Sequence, residues 1–308
     1  MKTGRAITVL IAIVVLASSL AVRLNPSLLV LASRDVKLRS SLCSSWQAGF
    51  DGHIKLRQQA VAMEYAQASR VIRRDSGLVL WKTPMGQYWI PEGDDSILPL
   101  LLAQSERNIY GVGPWGVASG DVVLDVGAYI GTWTRQALAR GAKQVIAIEP
   151  SPASIECLKR NLASEIEAGK VLVIPKGIWD SEGALTFFSN SASGVGNSFV
   201  EKNESTRSVD SIPVTTIDKL VADLKLLRVD FIKADVKGAT ERLLRGGSGL
   251  LQRDRPRIAL STEEAADAPS IARVALSIQP SYEMKCGPCL LDGTEIYTDV
   301  LFFRSRGR

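Results

Sequence analysis

The chain has 308 residues, a formal net charge of +5, four cysteines and a single histidine. That length holds one large or two ordinary domains with ample core. Four dispersed cysteines (Cys43, Cys157, Cys286, Cys289) exclude a disulfide scaffold, and the lone His53 excludes chemistry built on histidine clusters.

Basic residues gather at Arg70/Arg73/Arg74, Arg253/Arg255/Arg257 and Arg304/Arg306/Arg308, but no aromatics interleave with them. A nucleic-acid platform needs that interleaving, so no nucleic-acid partner is expected. The pair in Cys286-Gly287-Pro288-Cys289 has the spacing of a redox or half-zinc motif. No second pair exists and His53 is distant in sequence, so it reads as a strand-end turn and no metal is expected.

Ala6 to Val22 is an unbroken run of 17 apolar and small residues, preceded by Lys2 and Arg5. At about 1.5 Å per residue it barely spans hydrocarbon about 30 Å thick, and it exceeds the usual signal-peptide core. A retained membrane anchor is expected ahead of a cleaved signal. Arg23, Arg34, Lys37 and Arg39 flank its far side, so the positive-inside bias is nearly balanced.

Residues 54–74 are expected to form a helix, and Leu78 to Ile90 a hairpin about Pro84-Met85-Gly86. A helix at Ile97 to Leu102 leads into the core. From Asp121 strands and helices alternate: strand 122–126, helix 131–140, strand 144–148, then a helix with Ser151 as cap and Pro152 in its first turn. Strand 171–175 and an extended piece at Ala184 to Ser189 follow. Residues 189–211, rich in Ser, Asn and Gly, read as a mobile loop. Thr216 caps a helix through Leu224, Val229 to Ala234 is a strand, and Lys237-Gly238 opens a helix ending at Gly246-Gly247. Arg257 to Leu260 is a strand followed by Glu263 and Glu264. Tyr282 to Cys286 and Thr298 to Phe303 form an antiparallel pair. This order predicts an α/β, doubly wound, largely parallel sheet with an antiparallel addition.

In such sheets ligands bind beyond the carboxyl ends of the strands. Asp125, Glu149, Asp235 and Glu263 all fall at predicted strand ends, so they should converge on one crevice. The first strand leads into Gly127-Ala128-Tyr129-Ile130-Gly131. Tyr129 stands where a dinucleotide fingerprint needs its middle glycine, and Asp125 would crowd a diphosphate. S-adenosyl-L-methionine carries a sulfonium and an ammonium, which suit a carboxylate there. The turn Gly127 to Gly131, Tyr129 included, is expected to take the methionine portion, Asp125 the ammonium and Glu149 the ribose hydroxyls.

Five blocks make the chain similar to a known family: GDVVLDVGAYIGTWTRQAL (Gly120 to Leu138), VIAIEPSP (Val145 to Pro152), LKRNL (Leu158 to Leu162), DSEGALTF (Asp180 to Phe187) and the series from Thr216 to Gly247. In that order they resemble the FkbM family of S-adenosylmethionine-dependent methyltransferases. The resemblance covers roughly residues 85 to 303 and implies a class I, Rossmann-like methyltransferase fold; with the apolar run it divides the chain into an anchor or signal sequence at 1–33, a lead-in at 34–76 and a methyltransferase domain at 77–308. It also implies methyl transfer to a hydroxyl; beside a membrane anchor the expected acceptor is a sugar, glycolipid or other small metabolite, and the domain is expected on the cytoplasmic side, where the donor is made. Asp235 is the candidate base, helix capping being its alternative role, and Lys237 would stabilise an alkoxide or pair with an anionic substrate. Where the family has Asp-Val-Glu-Gly-Ala-Glu, this chain has Asp235-Val236-Lys237-Gly238-Ala239-Thr240, with Glu241 one place later. A non-catalytic donor-binding homologue is the competing expectation.

Overall fold

The computed structural model describes residues 42–43, 45–190, 193–198, 206–262, 267–292 and 295–306. The expected anchor, Ala6 to Val22, and the acids Glu263 and Glu264 lie outside them. Among the described residues no helix is long and apolar enough to cross a membrane.

Helix α1 (Ser45–Ala68) leads into an antiparallel sheet of β1 (Arg70–Asp75), β2 (Leu78–Thr83) and β3 (Gly86–Pro91). The helix expected over 54–74 therefore ends early. Ser76 and Gly77, both at positive φ, close a two-residue turn that pairs Asp75 with Leu78, and this draws Arg70 to Asp75 into a strand. The β2–β3 hairpin forms where expected, with Thr83 opposite Gly86. Helix α2 (Ile97–Arg107) follows.

The alternating region contains β4 (Val122–Val126), α3 (Thr132–Ala139), β5 (Gln144–Ile148), α4 (Pro152–Asn161), α5 (Ala163–Glu167) and β6 (Val171–Ile174). Strand β7 (Gly177–Ile178) then begins a second sheet with β8 (Gly183–Asn190), β9 (Ser193–Ser198) and β10 (Thr206–Thr215), ordered β7-β10-β8-β9. Much of the stretch expected as a loop is thus extended. Ile212 and Val214 of β10, two apart and buried, anchor that strand to the body, while backbone pairing with β8 needs no apolar side chains.

Helix α6 (Ile217–Asp223) is capped as expected by Thr216, whose hydroxyl accepts from the Lys219 amide at 3.0 Å. Strand β11 (Phe231–Ala234), α7 (Thr240–Gly246), α8 (Ser248–Asp254), β12 (Arg257–Ser261), α9 (Asp267–Ile278), β13 (Tyr282–Cys286), β14 (Cys289–Asp292), β15 (Glu295–Thr298) and β16 (Val300–Ser305) complete the order. Helix α7 starts at Thr240 rather than at Lys237-Gly238, because Gly238 turns the chain at φ +64°.

The central sheet has seven strands in the order β13-β16-β12-β11-β4-β5-β6. The five strands from β12 to β6 are parallel, whereas β16 runs antiparallel to both β12 and β13. Helices cover both faces, so β4, β5 and β11 are nearly continuous runs of buried residues rather than alternating ones. The strand order reverses between β4 and β11, which places the ligand crevice at their carboxyl ends.

One link was not legible in the spacing of the cysteines. Cys43 and Cys289 form a disulfide across 246 residues, tying the start of α1 to β14. Gly287-Pro288 is the expected strand-end turn, and no metal-ligating cluster occurs among the described residues.

Candidate active site

Three of the predicted acids do meet at the carboxyl end of the sheet, at the ends of β4, β5 and β11, but each is held differently. Asp125 is fully buried. Its Oδ2 accepts from the Thr134 hydroxyl at 2.6 Å, and Lys233 Nζ lies 3.0 Å from Oδ1. Lys233, buried in the middle of β11, also donates to the Gly127 carbonyl at 2.7 Å and lies over the rings of Tyr110 and Trp133. The charge facing Asp125 thus comes from the protein itself. A buried lysine survives only when paired in this way, so the two charges fix the glycine turn to β11.

Glu149 presents a different arrangement. Its two oxygens accept the backbone N–H of Tyr129 and of Ser151, each at 2.9 Å. Burial pushes its carboxyl up to about 7, against the pull of those two N–H groups and of Lys233. An ionised carboxylate has about four lone-pair directions, so two remain for a ligand's hydroxyls. Ser151 stands at the N-cap of α4, but its backbone serves Glu149 and its side chain makes no cap.

The turn between them is shaped for close approach. Gly127 sits at φ +75°, and a Cβ there would lie 2.1 Å from the Asp235 carbonyl oxygen. Gly131, at φ +84°, would collide with Leu162 at 2.7 Å. Tyr129 also adopts positive φ, at 49°, and its hydroxyl donates to Asp94 at 2.5 Å. A non-glycine residue in this region is strained and persists only where its surroundings hold it. Here Asp94 and Glu149 hold it from both sides. Burial and the Asp94 charge raise the Tyr129 hydroxyl far above its ordinary value, so it stays a donor. Gly131 caps α3 without any side chain bonded to the first turn, leaving helix N–H groups directed at the crevice.

Asp235 is half-buried and accepts the Tyr110 hydroxyl at 2.7 Å. It does not cap α7, whose N-cap is Ala239. Asp235, Lys233, Tyr129 and Trp133 share a small cavity of about 40 Å³ with Gly127. Burial and Asp235 together raise the Tyr110 hydroxyl well above its ordinary value. Lys237 is half-buried beside Asp235 in sequence but does not line that cavity.

Four residues of this site escaped sequence reasoning. Lys233 carried a signal, a charge inside the apolar strand Phe231–Ala234. Tyr110 and Asp94 lie on connections without any pattern. Asn161 lies within LKRNL, where nothing in the pattern marks it: its side chain accepts from the Trp89 amide at 2.6 Å and donates to the carbonyls of Trp89 and Ile130, both at 2.9 Å. It therefore clamps the glycine turn to β3.

No curated protein matches the chain. Among solved structures, it is similar to an FkbM methyltransferase from Methylobacillus flagellatus KT (17% identity, TM-score 0.48), matching 82% of this chain and 60% of that one. The chain thus spans less than two thirds of that relative's length. It is also similar to the ribosomal protein L11 methylase of Lactobacillus delbrueckii subsp. bulgaricus (17% identity, TM-score 0.38, 70% of this chain and 81% of that one). A third is Aeropyrum pernix fibrillarin, with natively bound S-adenosyl-L-methionine (12% identity, TM-score 0.39, 76% and 97%). The Methyltransferase FkbM domain matches residues 125–281, which begin at the buried acid of β4 and run past β12. With half of its length in that match and the class I methyltransferase strand order around it, the chain belongs to the FkbM methyltransferase domain family.

Proposed function

We propose that the protein transfers the methyl group of S-adenosyl-L-methionine to a hydroxyl oxygen of a small acceptor. The observation that carries this reading is Glu149, held by two backbone N–H groups with lone pairs left for a ribose diol. The open first turn of α3 beside Gly131 suits the donor's carboxylate. Gly127 and Tyr129 shape the turn that admits the methionine portion. Asp125 acts at one remove, since its charge is matched by Lys233.

The donor supplies an electrophilic methyl group on a sulfonium. The protein's own part is alignment and proton removal. Asp235 accepts the proton of the acceptor hydroxyl, and Tyr110 fixes the carboxylate's rotamer through its 2.7 Å hydrogen bond. The acceptor is a sugar hydroxyl or a comparable small metabolite, and Ala6 to Val22 holds the domain at the cytoplasmic face of a membrane, where the donor is made.

Titration calorimetry with S-adenosylhomocysteine is the test. The protein should bind it, and Glu149→Ala should weaken binding by two charge-assisted hydrogen bonds, each worth about 1.5–3 kcal/mol. Asp235→Asn should leave that binding intact and lower turnover by roughly a hundredfold or more. Tight NAD binding without a response to S-adenosylhomocysteine would overturn the reading.

A further inference from the structure

A second cavity, of about 470 Å³, lies between α1, the last turn of α2 and the face of β16. Its size is that of a site for a small organic molecule. The apolar lining includes Ile109, Trp115 and Phe302, the last two packed edge to face with ring centroids 6.4 Å apart. Around them stand Arg57 of α1, Arg107 of α2 and Lys285 of β13. Arg57 and Lys285 are exposed, and among the described residues neither meets a carboxylate; Lys285 Nζ lies 6.0 Å from the Trp115 ring centre. Arg107 pairs through Nη2 with Asp299, yet its Nε is buried without an acceptor. Among the described residues the one acid lining the cavity, Glu106, already accepts the Tyr65 hydroxyl at 2.5 Å.

The cavity is preformed. Gly111, at φ +97°, allows Trp115 to fold back so closely that a Cβ would lie 2.3 Å from the Trp115 carbonyl oxygen. Arg140 holds the Gly111 carbonyl at 2.6 Å, and Asp51 of α1 accepts the Cys289 backbone N–H at 2.9 Å, which fixes the α1 wall. Ile109 lines this cavity and also the small one containing Asp235. Ile109 is thus a wall common to the two cavities.

We infer that this cavity seats the methyl acceptor and that the acceptor is a small organic anion: a ring against Trp115 and Phe302, and an acidic group toward Arg57 and Lys285. The acceptor role rests on the methyl-transfer reading above, whereas the preference for an anion rests on the cavity alone. Planar guanidinium and ammonium groups beside an aromatic floor select both features together.

The full chain would be titrated with 1-anilinonaphthalene-8-sulfonate and with its uncharged analogue N-phenyl-1-naphthylamine. The sulfonate should bind saturably at one site. Arg57→Gln/Lys285→Gln, both at exposed positions, should weaken it about tenfold or more and leave the neutral analogue and S-adenosylhomocysteine unchanged. Equal sulfonate binding by wild type and double variant would overturn the anion site. With labelled donor and cell extract, the product should be retained on an anion exchanger and depleted in the double variant. A neutral labelled product would overturn the acceptor assignment while leaving methyl transfer standing. Absence of S-adenosylhomocysteine binding would sink methyl transfer while the sulfonate titration still judged the cavity.

Discussion

Replacing Lys233 by Met should be among the most damaging single substitutions in this chain, although no ligand needs to be present to see it. The side chain is 4% exposed and its partner Asp125 is 0% exposed, with 3.0 Å between Nζ and Oδ1. Met keeps the volume and the apolar stem but leaves Asp125 as an uncompensated buried charge, a loss of about 3–5 kcal/mol when one partner of such a pair is removed. The Gly127 carbonyl also loses its 2.7 Å donor, which adds on the order of 1 kcal/mol. Asp125→Asn combined with Lys233→Met removes both charges, so the double variant should be more stable than the sum of the singles by about 2 kcal/mol. Urea denaturation reads this as a shift of midpoint at constant slope. A single-variant loss below about 1 kcal/mol, or strict additivity in the cycle, would refute the view that this pair holds the glycine turn.

Glu149, raised to about 7 in the fold from its usual 4.5, binds its proton more tightly folded than unfolded. Its contribution to stability is therefore fully present below about 4.5 and lost as pH rises through about 7; Glu149→Gln should flatten that slope in unfolding titrations. S-adenosylhomocysteine affinity should run the other way, rising with pH until the carboxylate is ionised near 7 and level above it, with Glu149→Gln nearly pH-independent when measured by calorimetry. Asn161→Ala strands three backbone groups of Trp89 and Ile130 and should cost about 3 kcal/mol in urea unfolding, with donor binding weakened because the turn loosens. On the cytoplasmic side Cys43 and Cys289 should be thiols in growing cells and the bridge should form on air oxidation; a bridge recovered from cells quenched with an alkylating reagent would move the domain to an oxidising compartment.

The parallel sheet was legible because burial on both faces writes itself as short apolar runs, each stopped by an acid or a glycine. Val122 to Val126 and Val145 to Ile148 are of this kind, and both are strands within a residue of expectation. Thr216 and Pro152 marked helix starts through local chemistry alone. What failed was non-local. Residues 189–211 look like a loop because their composition is polar, yet β10 is fixed by pairing with β8 and by Ile212 and Val214 at its far end. Arg70 to Asp75 is a strand because the Ser76-Gly77 turn that follows folds it onto β2. The site shows the same division: the acids and glycines are visible in sequence, while Tyr110, Asp94 and Asn161 reach it from distant connections whose position only the fold supplies.

The fates of the acids bear on how the crevice selects a ligand. The sequence reading gives Asp125 the donor's ammonium, Glu149 the ribose hydroxyls and Asp235 the acceptor's proton, and so argues for a cationic ligand from Asp125 alone. In the fold Asp125 is neutralised by Lys233, and Asp235 is shared with the Tyr110 hydroxyl. Glu149 is the one whose protonation is shifted into the neutral range by burial. Selection between methyl donor and dinucleotide then rests less on net charge than on shape. Tyr129 occupies the place where a diphosphate must approach the backbone, and its strained turn is braced by Asp94 and by Glu149 itself. The residue proposed to accept the ribose is thus also one that braces Tyr129 in its strained turn. Weakening Glu149 should therefore relax the turn as well as remove two acceptors, so its effect on donor binding should exceed that of either change alone.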